Sequence, residues 1–144
     1  MNMKIIKKTF DDLTTRELFE IYKIRVDVFV VEQECPYPEV DEIDLEAWHV
    51  WLESENGIEA YARVFEKEEK RAAIGRVLAK TRRAGYGTRV VKEAIHTAKE
   101  VFGAEKIYLE AQIYAKSLYE KLGFVQISEE FLEDGIPHIG MELV

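Results

Sequence analysis

The longest regular hydrophobic pattern in the chain runs from Tyr86 to Phe102, where Val91, Ala94, Ile95, Ala98, Val101 and Phe102 recur at three- and four-residue intervals. That period predicts one apolar stripe on a helix, which Gly103 stops. Leu18, Ile21, Tyr22 and Val28 repeat at the same spacing and predict an earlier helix, capped by Asp12 or Thr14. Ala115 to Leu122 predicts a short helix ended by Gly123. The other apolar runs are shorter and bounded by turn residues, as strands are. They are Lys4 to Phe10, Trp48 to Glu53, Ile58 to Phe65, Ala72 to Ala79, Lys106 to Ala111, Phe124 to Ser128 and His138 to Leu143. Asn56-Gly57 between the second and third predicts a two-residue hairpin turn, because both residue types tolerate positive φ. VEQECPYPEVDEIDLEA, with Pro36 and Pro38, predicts an irregular acidic loop. The element order is mixed α/β, and a chain of 144 residues is expected to form one domain, 1–144.

Composition narrows the class. With 47% hydrophobic and 33% charged residues the chain reads as a soluble globular protein. MNMKIIKKTFDDL lacks the apolar core of a secretion signal, and no apolar run reaches the roughly 18 residues that span a bilayer, so a cytoplasmic protein is expected. One cysteine, Cys35, cannot form an internal disulfide. His49, His96 and His138 lack metal-site spacing, and no metal is expected.

The net charge of −8 is unevenly spread. Val26 to Ala62 holds eleven acids and no Lys or Arg, while Lys70 to Lys92 holds eight basic residues and no acid. The basic segment suits an anion. Overall negative charge and the lack of a basic stripe interleaved with aromatics argue against nucleic acid, so a small polyphosphate fits better.

KTRRAGYGTRVV, residues 80 to 91, lies at the head of the long helix. It has neither the lysine of a Walker A loop nor the third glycine of a dinucleotide fingerprint. Arg82-x-x-Gly85-x-Gly87 remains, between a strand and a helix N-terminus. Glycines there let backbone N–H groups approach a pyrophosphate, and the arginines balance further charge. A tight strand-to-helix turn with solvated arginines is the other reading of the same residues.

R-x-x-G-x-G, followed by a long amphipathic helix, a strand and SLYEKLGF, resembles the acetyl-CoA-binding core of the GNAT superfamily of N-acetyltransferases. VFVVEQECPY, EAYARV, IGRV and EDGIPHIGM look like its ElaA-like branch, so the resemblance runs over nearly the whole chain. It implies a three-layer α+β fold with a mixed, mostly antiparallel sheet of about six to seven strands. That sheet would splay between the strand ending near Ala79 and the strand Lys106 to Ala111. It further implies acetyl-CoA as co-substrate, its pantetheine arm along Val77, Leu78 and Ala79 and its pyrophosphate at Arg82, Arg83, Ala84, Gly85, Tyr86, Gly87 and Thr88. Gln112 stands where the family usually has asparagine, and Tyr119 is the tyrosine of the second signature.

Amine acetylation needs a base, since an ammonium of pKa near 10.4 must lose a proton, and an acid for the departing thiolate. Tyr119 suits the acid role, because a phenol of pKa about 10 stays protonated at neutral pH. Its alternative is core packing beside Leu118, Leu122 and Phe124. Glu110, on the strand bordering the inferred cleft, and His138, in GIPHIGM, are the candidate bases, with His49 and Glu32 behind them and water as an alternative. Seven carboxylates from Glu32 to Glu46 suggest a cationic amine acceptor, small molecule or peptide, unless they are merely solvated. The expectation is an acetyl-CoA-dependent N-acetyltransferase, monomer or homodimer, without nucleic-acid or membrane partners. A non-catalytic acyl-CoA-binding module is the alternative.

Overall fold

The computed structural model describes residues 3–144. In chain order its elements are β1 (Lys4–Thr9), α1 (Thr15–Val26), α2 (Ile43–Glu46), β2 (Trp48–Ser54), β3 (Gly57–Glu68), β4 (Arg71–Ala79), α3 (Tyr86–Phe102), β5 (Lys106–Gln112), α4 (Lys116–Lys121), β6 (Val125–Gln126), β7 (Phe131–Glu133) and β8 (Ile136–Leu143). Among the described residues the sheet has eight strands, ordered β1-β2-β3-β4-β5-β8-β6, with β7 paired to β8. This exceeds the six to seven expected, because β7 falls where no strand was predicted. Every pairing is antiparallel except β4 with β5.

Local chemistry sets the boundaries. Thr14, rather than Asp12, caps α1: its Oγ1 accepts from the Glu17 N–H at 3.0 Å, and the Glu17 carboxylate accepts from the Thr14 N–H at 2.9 Å. The helix then runs on into a π-helical turn, Asp27–Glu32, where the irregular segment was expected to begin. The β2–β3 turn is tipped by Glu55-Asn56 instead of Asn56-Gly57, and Gly57 alone takes a positive φ, 104°. Ser54 Oγ accepts the Asn56 N–H at 3.0 Å, which holds the tip in that register.

α3 buries Val90, Val91, Ala94, Thr97 and Ala98 and leaves Val101 exposed, so the stripe sits one residue round from the predicted one. It packs with Leu52, Ala62, Val64, Ile74 and Ile107 of the sheet in the larger core cluster. Alanines on β3 and α3 let helix and sheet close together. A second cluster, Ile21, Trp51, Ile58, Tyr61 and Leu78, binds α1 to the opposite sheet face. Helices therefore lie on both faces.

Three of the seven carboxylates of the acidic segment are neither solvated nor free to attract a cation. Glu39, Asp41 and Asp44 turn inward onto three arginines supplied by other elements. Fully buried Arg25 of α1 donates Nε to the Glu39 carboxylate at 3.0 Å and Nη1 to Asp44 Oδ1 at 2.7 Å. Arg63 of β3 pairs with Asp41 at 2.7 Å and Asp44 at 3.1 Å, and Arg76 of β4 with Glu39 at 2.7 Å. Burial would raise the Asp44 carboxyl, but the hydrogen bond and charge of Arg25, joined by Arg63, hold it below its ordinary range. These carboxylates are structural and already neutralised, so they offer no free field for a cationic acceptor.

His49 belongs to the same region. Its Nε2 donates to the Asp44 carbonyl at 2.9 Å and its Nδ1 accepts from the Tyr61 hydroxyl at 2.6 Å, with burial holding its pKa below 6.5. It is a neutral structural ring rather than a candidate base. Because the folded chain then binds fewer protons than the unfolded one, stability is full above about pH 6.5 and falls as pH drops through that value. Asp41 and Asp44, also lowered, add further losses below about 3.8. Thermal melts should show a lower Tm at pH 5.5 than at 7.5, and a steeper decline below pH 4. A flat profile would contradict the burial of a neutral His49.

Candidate active site

β4 and β5 pair only through Arg71–Ala73 against Lys106–Tyr108. Beyond that point they diverge, and the β5-facing edge of β4 has no strand partner. A bulge helps the divergence: Arg76 takes φ 52° between the Arg63↔Gly75 and Tyr61↔Leu78 pairs. A cavity of about 470 Å³ occupies the opening, walled by Ala73 to Val77 of β4 and by Tyr108, Leu109, Glu110 and Gln112 of β5.

Val77, Gln112, Tyr119, Glu110 and His138 all line this cavity. Leu78, Ala79 and residues Arg82 to Thr88 do not. Leu78 turns its side chain into the second core cluster, so only its backbone is available to a ligand in the opening. The loop lies past the end of β4, where Gly85 caps α3 in the left-handed conformation, φ 81°, with no side-chain cap. The N–H groups of Tyr86, Gly87 and Thr88 therefore have no intrahelical acceptor and face outward with the positive end of the helix dipole. Gly87 has ordinary helical φ; a β-carbon there would touch Ala79 at 3.7 Å and Leu118 at 3.9 Å. Arg82 is exposed and bonds Glu32 at 2.6 Å, which ties the loop to the end of the α1 π-turn and removes Glu32 from the candidate bases. Arg83 is strained at φ 61°.

Tyr119 comes from α4, where Leu118 and Leu122 anchor the helix to the core. It is 7% exposed and meets Phe124 edge-on at 5.9 Å. Burial, with Tyr114 adding to it, pushes its phenol well above the ordinary value, so the proton stays on at neutral pH. The packing and acid readings are thus both compatible with one position. Gln112 exchanges amide hydrogen bonds with Gln33 at 3.2 and 3.4 Å, closing the cavity toward the π-turn.

Opposite these, the β5–β8–β7 corner gathers three titratable groups. His138 pairs with Gln112 in register, and Glu110 with Gly140. His138 Nδ1 lies 2.7 Å from the Ile136 carbonyl, which can only accept, so this nitrogen carries the proton and the neutral ring keeps a lone pair on Nε2. That Nε2 is 3.8 Å from the Glu133 carboxylate. Burial raises the Glu133 carboxyl, Glu110 adds to the rise, and His138 opposes it. Glu110 is exposed and accepts the Tyr108 hydroxyl at 3.1 Å. Glu133, Arg63, Arg76 and Gln33 are cavity residues that the sequence reading did not single out. Asp134-Gly135, at φ 51° and 78°, is the hairpin turn that carries Glu133 and was available as a signal.

A family model for the acetyltransferase (GNAT) domain matches residues 25–144. The chain belongs to the GNAT acetyltransferase family. A UPF0039 protein of Schizosaccharomyces pombe is 44% identical over 146 residues, covering 99% of this chain and 97% of its own. Protein ElaA of Escherichia coli is 32% identical over 136 residues, 90% of this chain and 89% of its own. The ElaA crystal structure superposes with a TM-score of 0.92 over 99% of this chain and 100% of that one, at 29% identity. That of an acyl-CoA N-acyltransferase from Pseudomonas aeruginosa reaches 0.90 at 36% identity, covering 98% and 99%. The splayed sheet is therefore the GNAT fold, and the family's chemistry is acyl transfer from coenzyme A thioesters. Among the described residues no helix is long and apolar enough to cross a membrane, and no cluster of His, Cys, Asp and Glu is arranged to hold a metal ion.

Proposed function

We propose that this chain, as one domain over 1–144 in the cytoplasm, is an acetyl-CoA-dependent N-acetyltransferase in which an amine attacks directly within a ternary complex. The observation that carries the reading is that one cavity, in the opening between β4 and β5, is lined by both a buried protonated phenol, Tyr119, and an imidazole with a free Nε2 lone pair, His138. Acetyl-CoA supplies the thioester carbon that the amine attacks and the thiolate that leaves. The unpartnered edge of β4 through Val77, Leu78 and Ala79 suits a pantetheine arm, bonded as an added strand would be. The bare N-terminus of α3, with Gly85 and Gly87 and the arginines at 82 and 83, suits the pyrophosphate. Ala84, Tyr86 and Thr88 contribute backbone there, and Gln112 offers its amide at the cavity end.

His138 accepts the proton that the ammonium must lose, at Nε2. Glu133 and Glu110 then compensate the imidazolium that forms, one beside the ring and the other next to Glu133. Tyr119 gives its phenolic proton to the departing sulfur, and the second proton that the nitrogen sheds as the amide forms restores the phenol. This ordering puts Glu110 in a supporting role.

The test is release of coenzyme A thiol from acetyl-CoA over a panel of amines and peptides, alongside calorimetry of the wild type and Gly85→Val. The substitution forces a β-branched residue into left-handed φ, so the loop must rearrange, and acetyl-CoA affinity should weaken on the order of tenfold or more. Undiminished affinity would reduce the loop to a turn. Binding without amine-dependent thiol release would make the chain the non-catalytic acyl-CoA-binding module.

A further inference from the structure

Two consecutive residues, Glu32 and Gln33, tie together the two arms of the split sheet at its open end. Glu32, the last residue of the π-helical turn, accepts from Arg82 Nη2 at 2.6 Å, and Arg82 lies three residues beyond the end of β4. Gln33, which caps that turn, exchanges amide bonds at 3.2 and 3.4 Å with Gln112, the last residue of β5. Successive residues of a helical turn point in different directions, so the end of one turn reaches both arms.

The groups held in this way are the ones that a phosphate-bearing cofactor needs. Lys70 to Lys92 contains eight basic residues and no acid, and Glu32, 50 positions upstream of Arg82, sets a carboxylate on that segment. The contact is the one side-chain bond Arg82 makes among the described residues, and it uses a single guanidinium nitrogen. Both side chains are more than half exposed, so the pair is weak and its other donors stay open. A pyrophosphate carries more charge and takes two guanidinium donors at once, so it can engage the open donors first and then displace the carboxylate. Phe29 of the same turn and Gln33 also line the acceptor cavity, which places the contact between the two substrates' sites.

We infer that Glu32 is an internal competitor for the cofactor: with Gln33 it latches the open end of the cleft, yields Arg82 to the pyrophosphate as acetyl-CoA enters, and takes Arg82 back as coenzyme A leaves. This rests on the acetyl-CoA reading of the cleft and adds a device that speeds product release. A static tie that merely supports the loop has the opposite consequence, since cutting it would loosen the loop and weaken cofactor binding.

The experiment is calorimetry with coenzyme A on wild type, Glu32→Gln, Arg82→Gln and the double variant, with dissociation rates from stopped flow. Glu32→Gln should bind coenzyme A about three- to fivefold more tightly, with dissociation slowed by a similar factor. Arg82→Gln should weaken binding, and on that background Glu32→Gln should gain less than about twofold, because the contested donor is gone. Glu34→Gln removes an exposed carboxylate two residues on and controls for net charge; it should change affinity by less than about twofold. Dephospho-coenzyme A, which keeps the pyrophosphate and lacks the 3′-phosphate, should show the same gain as coenzyme A. Unchanged or weaker binding in Glu32→Gln, a gain that persists in full without Arg82, an equal gain from Glu34→Gln, or a gain lost with dephospho-coenzyme A would each overturn the latch while leaving cofactor binding in place. Failure of wild type and every variant to bind coenzyme A would instead overturn the acetyl-CoA reading, and the latch with it.

Discussion

Tyr119→Phe should fold, bind acetyl-CoA almost as the wild type does, and lose turnover by a factor on the order of 10² to 10⁴, the usual contribution of a positioned general acid. The substitution separates the two readings of this residue. Phenylalanine keeps the ring that meets Phe124 edge-on in the core cluster that also holds Leu118 and Leu122, so the packing is retained. It removes the only proton the side chain can give. Burial keeps that proton in place throughout the neutral range, so the wild type has it available in every turnover at pH 7. Single-turnover acetyl transfer is the deciding measurement, because it does not include product release. An unchanged single-turnover rate in the folded, acetyl-CoA-saturated variant would return Tyr119 to the core. A drop in thermal stability equal to a large-to-small core change would mean that the hydroxyl has a structural partner.

Several elements were legible because each rests on a local rule. The period of α3 with its Gly103 stop, the short helix before Gly123 that carries Tyr119 and the strand-to-helix glycines all act within a few residues, whereas the cap of α1 stayed open between Asp12 and Thr14 until the Glu17 contact decided it. The split of the sheet came from the resemblance and from no periodicity, since strand pairing is settled by residues far apart in sequence. The corner around His138 was half visible. Asp134-Gly135 announces a hairpin, but that the hairpin brings Glu133 to within 3.8 Å of the ring depends on β8 pairing with β5 and β7 together. The acidic segment was misread for a physical reason. Counting charge from Val26 onward excluded Arg25 by one residue, and the other two partners, Arg63 and Arg76, arrive from strands 19 to 37 positions away from the carboxylates they meet. Composition records how many charges a segment has and is silent on which of them face inward.

That inward-facing network sets the second large effect. Arg25→Leu should destabilise the chain by about 3 kcal/mol, the cost of taking a fully buried cation from two buried carboxylates that each keep one other arginine, and lower Tm on the order of 10 °C. Arg25 is fully buried, bonds both Glu39 and Asp44, and stacks on Tyr22 and Tyr61 at 5.3 and 5.7 Å. Leucine retains much of the packing and none of the charge, so the loss reports the network. The exposed pair two residues earlier, Lys23 with Asp27 at 3.2 Å, is the internal control: Lys23→Ala should cost only about 0.5 kcal/mol or less. Asp44→Asn, which also takes from Arg63 the second of its two carboxylates, should be destabilising on its own. Combining it with Arg25→Leu should cost less than the two single losses together, because the first change already removes the attraction that the second would break. Strict additivity in denaturant melts would mean that the two residues act independently and that other contacts hold the segment. The consequence reaches the active site, since this segment carries Cys35, Tyr37 and Pro38 along the cavity wall. Arg25→Leu assayed below its Tm should therefore raise KM for the amine more than KM for acetyl-CoA, whose proposed contacts lie on β4 and the head of α3.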